Sequence, residues 1–138
     1  MIKYDPEMDL YHVLNVLRND EVLKTLLEIP AGQAPGKYIV ERFSPDLIVN
    51  GQNLLFVFFA PSRETNNPLC SFEILQIECH VPSQKSMRAH KILKRVRDLL
   101  HLKIINGKQL YFIGQQGQMG TISGYFCAGA RYRYTVVL

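Results

Sequence analysis

Residues 72–101 read FEILQIECHVPSQKSMRAHKILKRVRDLLH, and two periods meet inside that run. From Phe72 to Val81 the residues alternate. Leu75, Ile77, Cys79 and Val81 point one way, and Gln76, Glu78 and His80 point the other. A period of two is that of a half-buried strand with one wetter face. After Pro82 the period changes. Ser83 is a candidate N-cap for a helix reaching His101, with Ala89, Ile92, Leu93, Val96, Leu99 and Leu100 along one stripe. The opposite face carries Arg88, Lys91, Lys94 and Arg95. An apolar strand face followed at once by an apolar helix stripe predicts that the two meet, with Ile92, Leu93, Val96 and Leu100 against Leu75 and Ile77.

On the N-terminal side of this run, Asp5 and Pro6 stand where an N-cap and a first helical residue belong, and Leu10, Val13, Leu14 and Leu17 follow at helical spacing. Asp20 caps a second short turn with Val22, Leu23, Leu26 and Leu27. Residues 30–37, with two prolines and two glycines, read as a loop. Tyr38 to Phe43 reads as an edge strand, Leu47 to Val49 as a short strand, and the apolar run Leu54 to Ala60 as a central strand. Pro61 to Pro68 reads as a polar loop.

On the C-terminal side, Asn106-Gly107 is a turn signal and Leu110 to Ile113 a strand. Gly114, Gly117, Gly120 and Gly124 space out a segment that reads as a flexible, exposed docking loop. Tyr125 to Ala128 and Arg131 to Leu138 flank Gly129-Ala130 as the arms of a hairpin. Together these elements predict an α+β fold, a mainly antiparallel sheet with two helices packed on one face, formed by residues 1–138 as a single domain.

Composition narrows the function classes. The chain has 138 residues, 47% hydrophobic and 20% charged, enough to bury a core without disulfides or a metal. Its longest apolar run falls far short of the roughly 20 residues that span a bilayer, so no membrane role is expected. Lys3, Asp5, Glu7 and Asp9 leave no apolar core for a secretory signal at the start of the sequence. Three cysteines, Cys70, Cys79 and Cys127, without a CxxC pair fit a reducing compartment. The net charge of +4 is unevenly spread. Residues 1–78 hold 6 Lys/Arg against 11 Asp/Glu, whereas residues 79–138 hold 10 Lys/Arg and only Asp98. Such asymmetry points to a polar partner, or to charges that interleave once the chain folds.

Enzyme signatures are weak. Gly32 to Tyr38 is one residue short of a phosphate loop and has Tyr38 where a hydroxyl residue is required. His12, His80, His90 and His101 lack metal-site spacing, and Cys79 and His80 point to opposite faces of a strand. Glu78 and His80 share a face and could act as an acid–base pair, but a solvated pair of neighbours is the plainer reading. No catalytic residue, cofactor or metal is expected. The strongest polar feature is the basic helix, with six Lys/Arg from Lys85 to Arg97. Lys91, Lys94 and Arg95 are its candidate partner-facing or DNA-facing residues. Having no aromatic residue, the helix suits phosphate contact without sequence specificity.

The pattern of elements resembles the tail terminator and tail-to-head joining proteins of long-tailed bacteriophages. The likeness rests on LYHVLNVLRNDEVLKTLL at 10–27, on the strand ending in Val81-Pro82 that leads into KILKRVRDLLH at 91–101, and on the closing Tyr132-Arg133-Tyr134 strand. The apolar 54–60 strand and the loop after it fall outside that pattern. The resemblance implies a structural virion protein of the neck, without cofactor or catalysis, assembled in the host cytoplasm. It implies a homo-oligomeric ring, commonly a hexamer, whose partners are the tail-tube protein and head-completion or connector proteins. DNA would pass through the lumen without sequence-specific contact. The isolated subunit is expected as a monomer. The alternative is a non-enzymatic nucleic-acid-binding or adaptor module that uses the basic helix 83–101.

Overall fold

The computed structural model describes residues 5–64 and 70–137. Helix α1 spans Pro6–Arg18, and Asp5 caps it by accepting from the Met8 amide at 3.2 Å. Helix α2 spans Glu21–Leu26, with Asp20 accepting from the Leu23 amide at 2.8 Å. Two strands follow, β1 at Ile39–Val40 and β2 at Leu54–Glu64. Next come β3 at Cys70–Pro82 and helix α3 at Ser86–Leu100, after a single 3₁₀ turn at Ser83–Lys85. The chain continues with β4 at Ile104–Ile105, β5 at Lys108–Gln109, β6 at Tyr111–Met119 and β7 at Tyr125–Val137.

The main sheet has the order β1-β2-β3-β7-β6. Among the described residues only the β1–β2 pair of this sheet is parallel. β4 and β5 form a separate small hairpin. The fold is α+β with a mostly antiparallel sheet. One buried cluster joins Val13, Leu14 and Leu17 of α1, Leu23 of α2, and Ala89, Ile92, Leu93, Val96 and Leu100 of α3. To these it adds Leu75, Ile77, Cys79 and Val81 of β3 and Tyr132, Tyr134 and Val136 of β7. The predicted meeting of the α3 stripe with Leu75 and Ile77 is therefore present. Each buried aliphatic side chain in such a cluster contributes about 1.5–3 kcal/mol of transfer free energy. A second, smaller cluster of Tyr38, Val40, Ile48, Leu54 and Phe56 lies apart from the first.

Several expectations are corrected. Only Ile39–Val40 of the Tyr38–Phe43 segment is strand. Leu47 to Val49 lies in a 3₁₀ helix, Pro45–Asn50, because Ser44-Pro45 starts a turn that the short apolar run cannot extend into a ladder. β2 runs on through Pro61 to Glu64, with a register irregularity between Ala60 and Arg63 that accommodates the proline. The remainder of the expected loop, 65–69, lies outside the described residues. Ser83 does not cap α3 with its side chain; Lys85 occupies the N-cap position.

The expected hairpin at Gly129-Ala130 is also absent: β7 is one continuous strand. Gly129 serves close approach rather than turning. A Cβ there would lie 2.9 Å from Met119 Sδ and 3.4 Å from Gln116 Oε1. The true turn signal is Asn106-Gly107, where φ is +51° and +77° and which joins β4 to β5.

The glycine segment is not a loop throughout. Gly114 and Gly117 lie within β6, which pairs with β7. The register shifts between Phe112 and Gly114 and again between Gln116 and Met119, so these glycines sit where bulges bend an outer strand. Gly120 lies beyond the strand, and Gly124, with φ +87°, closes the turn into β7. Amide hydrogen exchange is expected to be slower on average across Tyr111–Met119 than across residues 120–124. Equal fast exchange over both segments would contradict the β6–β7 pairing.

Candidate functional site

The basic face of α3 is largely occupied by the acidic half of the same chain. Arg95 grips Asp20 with two bonds, Nε to Oδ2 at 2.9 Å and an Nη2 bond to Oδ1 at 2.7 Å. Lys85 Nζ donates to Glu28 Oε2 at 2.6 Å, and Arg88 stands 3.6 Å from Glu28 Oε1. Arg97 lies over the Phe112 ring at 4.1 Å. Lys94 pairs loosely with Asp98 at 3.8 Å and stays four-fifths exposed, while Lys91 is exposed without an ion pair among the described residues. Of the three candidate contact residues, Arg95 is thus a strut between α3 and the cap of α2. Lys91 and Lys94 are the charges left for a partner. The charge asymmetry of the sequence is partly spent inside the fold.

These pairs carry a pH signature. The hydrogen bond from Arg95 holds Asp20 below the ordinary carboxylate value of 3.8, against the burial that would raise it. Lys85 does the same for Glu28, and the hydrogen bond with His80 does so for Glu78. A depressed folded value contributes stability that is complete above the unfolded value and is lost as pH falls through the folded one. Stability is therefore expected to decline on acidification below about pH 5. Asp20→Asn should shallow that acid limb in a thermal-melt series; an unaltered slope would show that the Arg95 contact contributes nothing.

The wetter face of β3 is not solvated. His80 is fully buried, and its ring lies against Phe56 at 5.0 Å and Phe43 at 5.7 Å. A polar chain runs along this face. Arg131 Nε donates to Gln76 Oε1 at 2.9 Å, Gln76 Nε2 donates to Glu78 Oε2 at 2.6 Å, and Glu78 Oε1 meets His80 Nε2 at 3.2 Å. His80 Nδ1 meets Thr121 Oγ1 at 2.8 Å, and Cys127 Sγ lies 3.4 Å from His80 Nε2. The Glu78–His80 pair is therefore a buried hydrogen-bonded pair rather than the solvated one expected, with Phe43 and Phe56 packed against the His80 ring. Burial pushes the Cys127 thiol up to about 12, so without a metal it is neither thiolate nor nucleophile at neutral pH. Cys127 comes into this cluster through register, His80 pairing with Cys127 across β3 and β7, which periodicity within one strand cannot reveal.

Beyond the buried chain, the sheet ends in an outer strand. Among the described residues β6 has no neighbour beyond it in the sheet order. Tyr111 and Ile113 are exposed there, and a cleft of about 500 Å³ lined by Phe72, Ile74, Ile113, Arg131 and Arg133 opens beside it. Such an edge is a ready surface for pairing with another chain.

No protein-family model matches the sequence, and no curated protein matches it. Its fold is shared with a chain of a solved structure described as the virion of a native gene transfer agent particle. That chain is 15% identical, with a TM-score of 0.65, and the match covers 94% of each chain. At this identity the comparison shows a common fold.

Proposed function

We propose that this chain is a structural protein of a phage-like virion, and more specifically a non-enzymatic subunit of the neck, a tail-completion or head–tail joining ring that caps the tail tube and connects it to the head. The observation that carries the reading is the fold held in common, end to end, with a chain of the gene transfer agent virion. The resemblance of the 10–27, 91–101 and 132–134 segments to tail terminator and joining proteins supports the finer position. The free edge of β6 and the exposed Tyr111 and Ile113 suit head-to-tail contacts of the kind that close a ring. On this reading the neighbours are further copies of the chain, the tail tube and the head-side connector, with DNA passing through the lumen. The turn at Gly120 to Gly124 would order against one of them. The rival reading, a nucleic-acid module on the basic helix, draws less support, since Lys85, Arg88, Arg95 and Arg97 are already engaged within the chain.

Deleting the gene in a particle-producing host tests the reading. Electron microscopy should then show heads and tails that fail to join, and the chain should be found by mass spectrometry in wild-type particles. Joined particles at normal yield without the gene would overturn it. The basic face is tested separately. Lys91→Glu with Lys94→Glu should change stability by no more than about 0.5 kcal/mol, as for surface positions, while lowering the yield of joined particles. Normal yield from that double variant would make this face a solvated one.

A further inference from the structure

We infer that Glu78, His80 and Cys127 form a zinc-binding site. Their donor atoms, a carboxylate oxygen, an imidazole nitrogen and a sulfur, all lie within 4.8 Å of one another. Two of the three separations are those of a metal's coordination sphere. His80 Nε2 is 3.2 Å from Glu78 Oε1 and 3.4 Å from Cys127 Sγ. Tetrahedral zinc, with bonds of about 2.0–2.3 Å to such atoms, holds its ligands roughly 3.3–3.7 Å apart. The third pair, the carboxylate oxygen and the sulfur, lies within 4.8 Å and closes toward that spacing when the ion is held.

The surroundings are those of a ligand set already held in place. A metal-binding imidazole is usually oriented through its second nitrogen, and His80 Nδ1 is fixed by Thr121 Oγ1 at 2.8 Å. The carboxylate is oriented by its second oxygen, which accepts from Gln76 Nε2 at 2.6 Å, with Arg131 holding Gln76 in turn. A neighbouring oxygen is also unused. Gln116 Oε1 is buried without a hydrogen-bond partner among the described residues, and it lies 3.4 Å from where a Cβ on Gly129 would stand, Gly129 being the residue that pairs with Glu78 on one side and Gln116 on the other. The chemistry selects the ion. Thiolate with imidazole favours zinc over magnesium or calcium, and one thiolate with one carboxylate neutralises a divalent charge in a buried place. Binding would cost the thiol its proton and would tie β3 to β7, and through Thr121 to the turn that leads into β7.

Cobalt(II) is the probe. One equivalent added to the metal-stripped full chain should produce an intense thiolate-to-cobalt band in the near ultraviolet and the visible bands of a four-coordinate ion. Zinc should bleach both. Cys127→Ser should abolish the near-ultraviolet band and weaken zinc binding by at least about 100-fold, whereas Cys70→Ser should leave both unchanged. Zinc should also raise the melting temperature of the wild-type chain and not that of Cys127→Ser. The wild-type spectrum stands whether or not the variant folds. A folded wild-type chain without the thiolate band at one equivalent, or a band that survives Cys127→Ser, would overturn the assignment.

Discussion

Val96→Asp should destabilise the fold by about 4 kcal/mol, the cost of leaving an unpaired charge in the interior. Val96 is completely buried in the cluster where α3 meets β3 and β7. The described residues of that cluster are all hydrophobic, with no cation among them. A new carboxylate at 96 therefore takes its place without a counter-ion. The loss is a large share of the roughly 5–15 kcal/mol that holds a domain together, and it should lower the melting temperature by about 15 °C. Val96→Ala separates shape from charge. It removes two methyl groups and should cost about 2 kcal/mol. An Asp variant that melts with the wild type would show that α3 does not pack where the two apolar faces meet.

That packing was legible because period and burial coincide. The stripe Ala89, Ile92, Leu93, Val96 and Leu100 is the buried face of α3, and the odd-numbered residues 75–81 are the core face of β3. The caps at Asp5 and Asp20 were legible for a similar reason, since each acts within three residues of itself. Glycine misled where it was read as a local instruction. Gly129 lets the Met119 side chain approach the sheet, and Gly114 and Gly117 bend a strand. A missing side chain frees the backbone to turn and equally makes room for a neighbour, and only the neighbour decides between them.

The candidate site was legible only in part. Lys91, Lys94 and Arg95 do share a helix face, but the partner of Arg95 is 75 positions away in sequence, so nothing in the helix distinguishes the strut from the free charges. The Glu78–His80 pair was visible as neighbours on one strand face. Its burial was not, because the cover comes from Phe43 and Phe56, on other segments of the chain. Cys127 joins the pair through strand register alone. Chemistry that depends on cross-strand order becomes readable only after the order β2-β3-β7-β6 is known.

The same distinction gives the second large effect, at a residue whose sequence context offers no hint of it. Asp9 lies in the first turn of α1, where an acidic residue is ordinarily a solvated complement to the helix dipole. Here it is buried, and its carboxylate collects three donors. Lys108 Nζ and Asn106 Nδ2 each donate to Oδ1 at 2.7 Å, and the Tyr134 hydroxyl donates to Oδ2 at 3.1 Å. One side chain thereby fastens α1 to the β4–β5 hairpin and to β7. The Lys108 side chain is itself only one-tenth exposed, so Asp9→Ala strands a cation away from water. The expected cost is about 3–5 kcal/mol, far above that of an exposed ion pair. Most of it should come from the stranded charge rather than from lost attraction. Replacing Lys108 by Met in the Asp9→Ala background should therefore restore much of the stability, since both members of a buried pair can be exchanged for apolar groups at little net cost. Denaturant unfolding of the two single variants and the double variant measures this coupling directly. If Asp9→Ala costs less than about 1 kcal/mol, as an exposed pair would, or if Lys108→Met adds to the damage instead of relieving it, Asp9 is not the buried anchor of this corner.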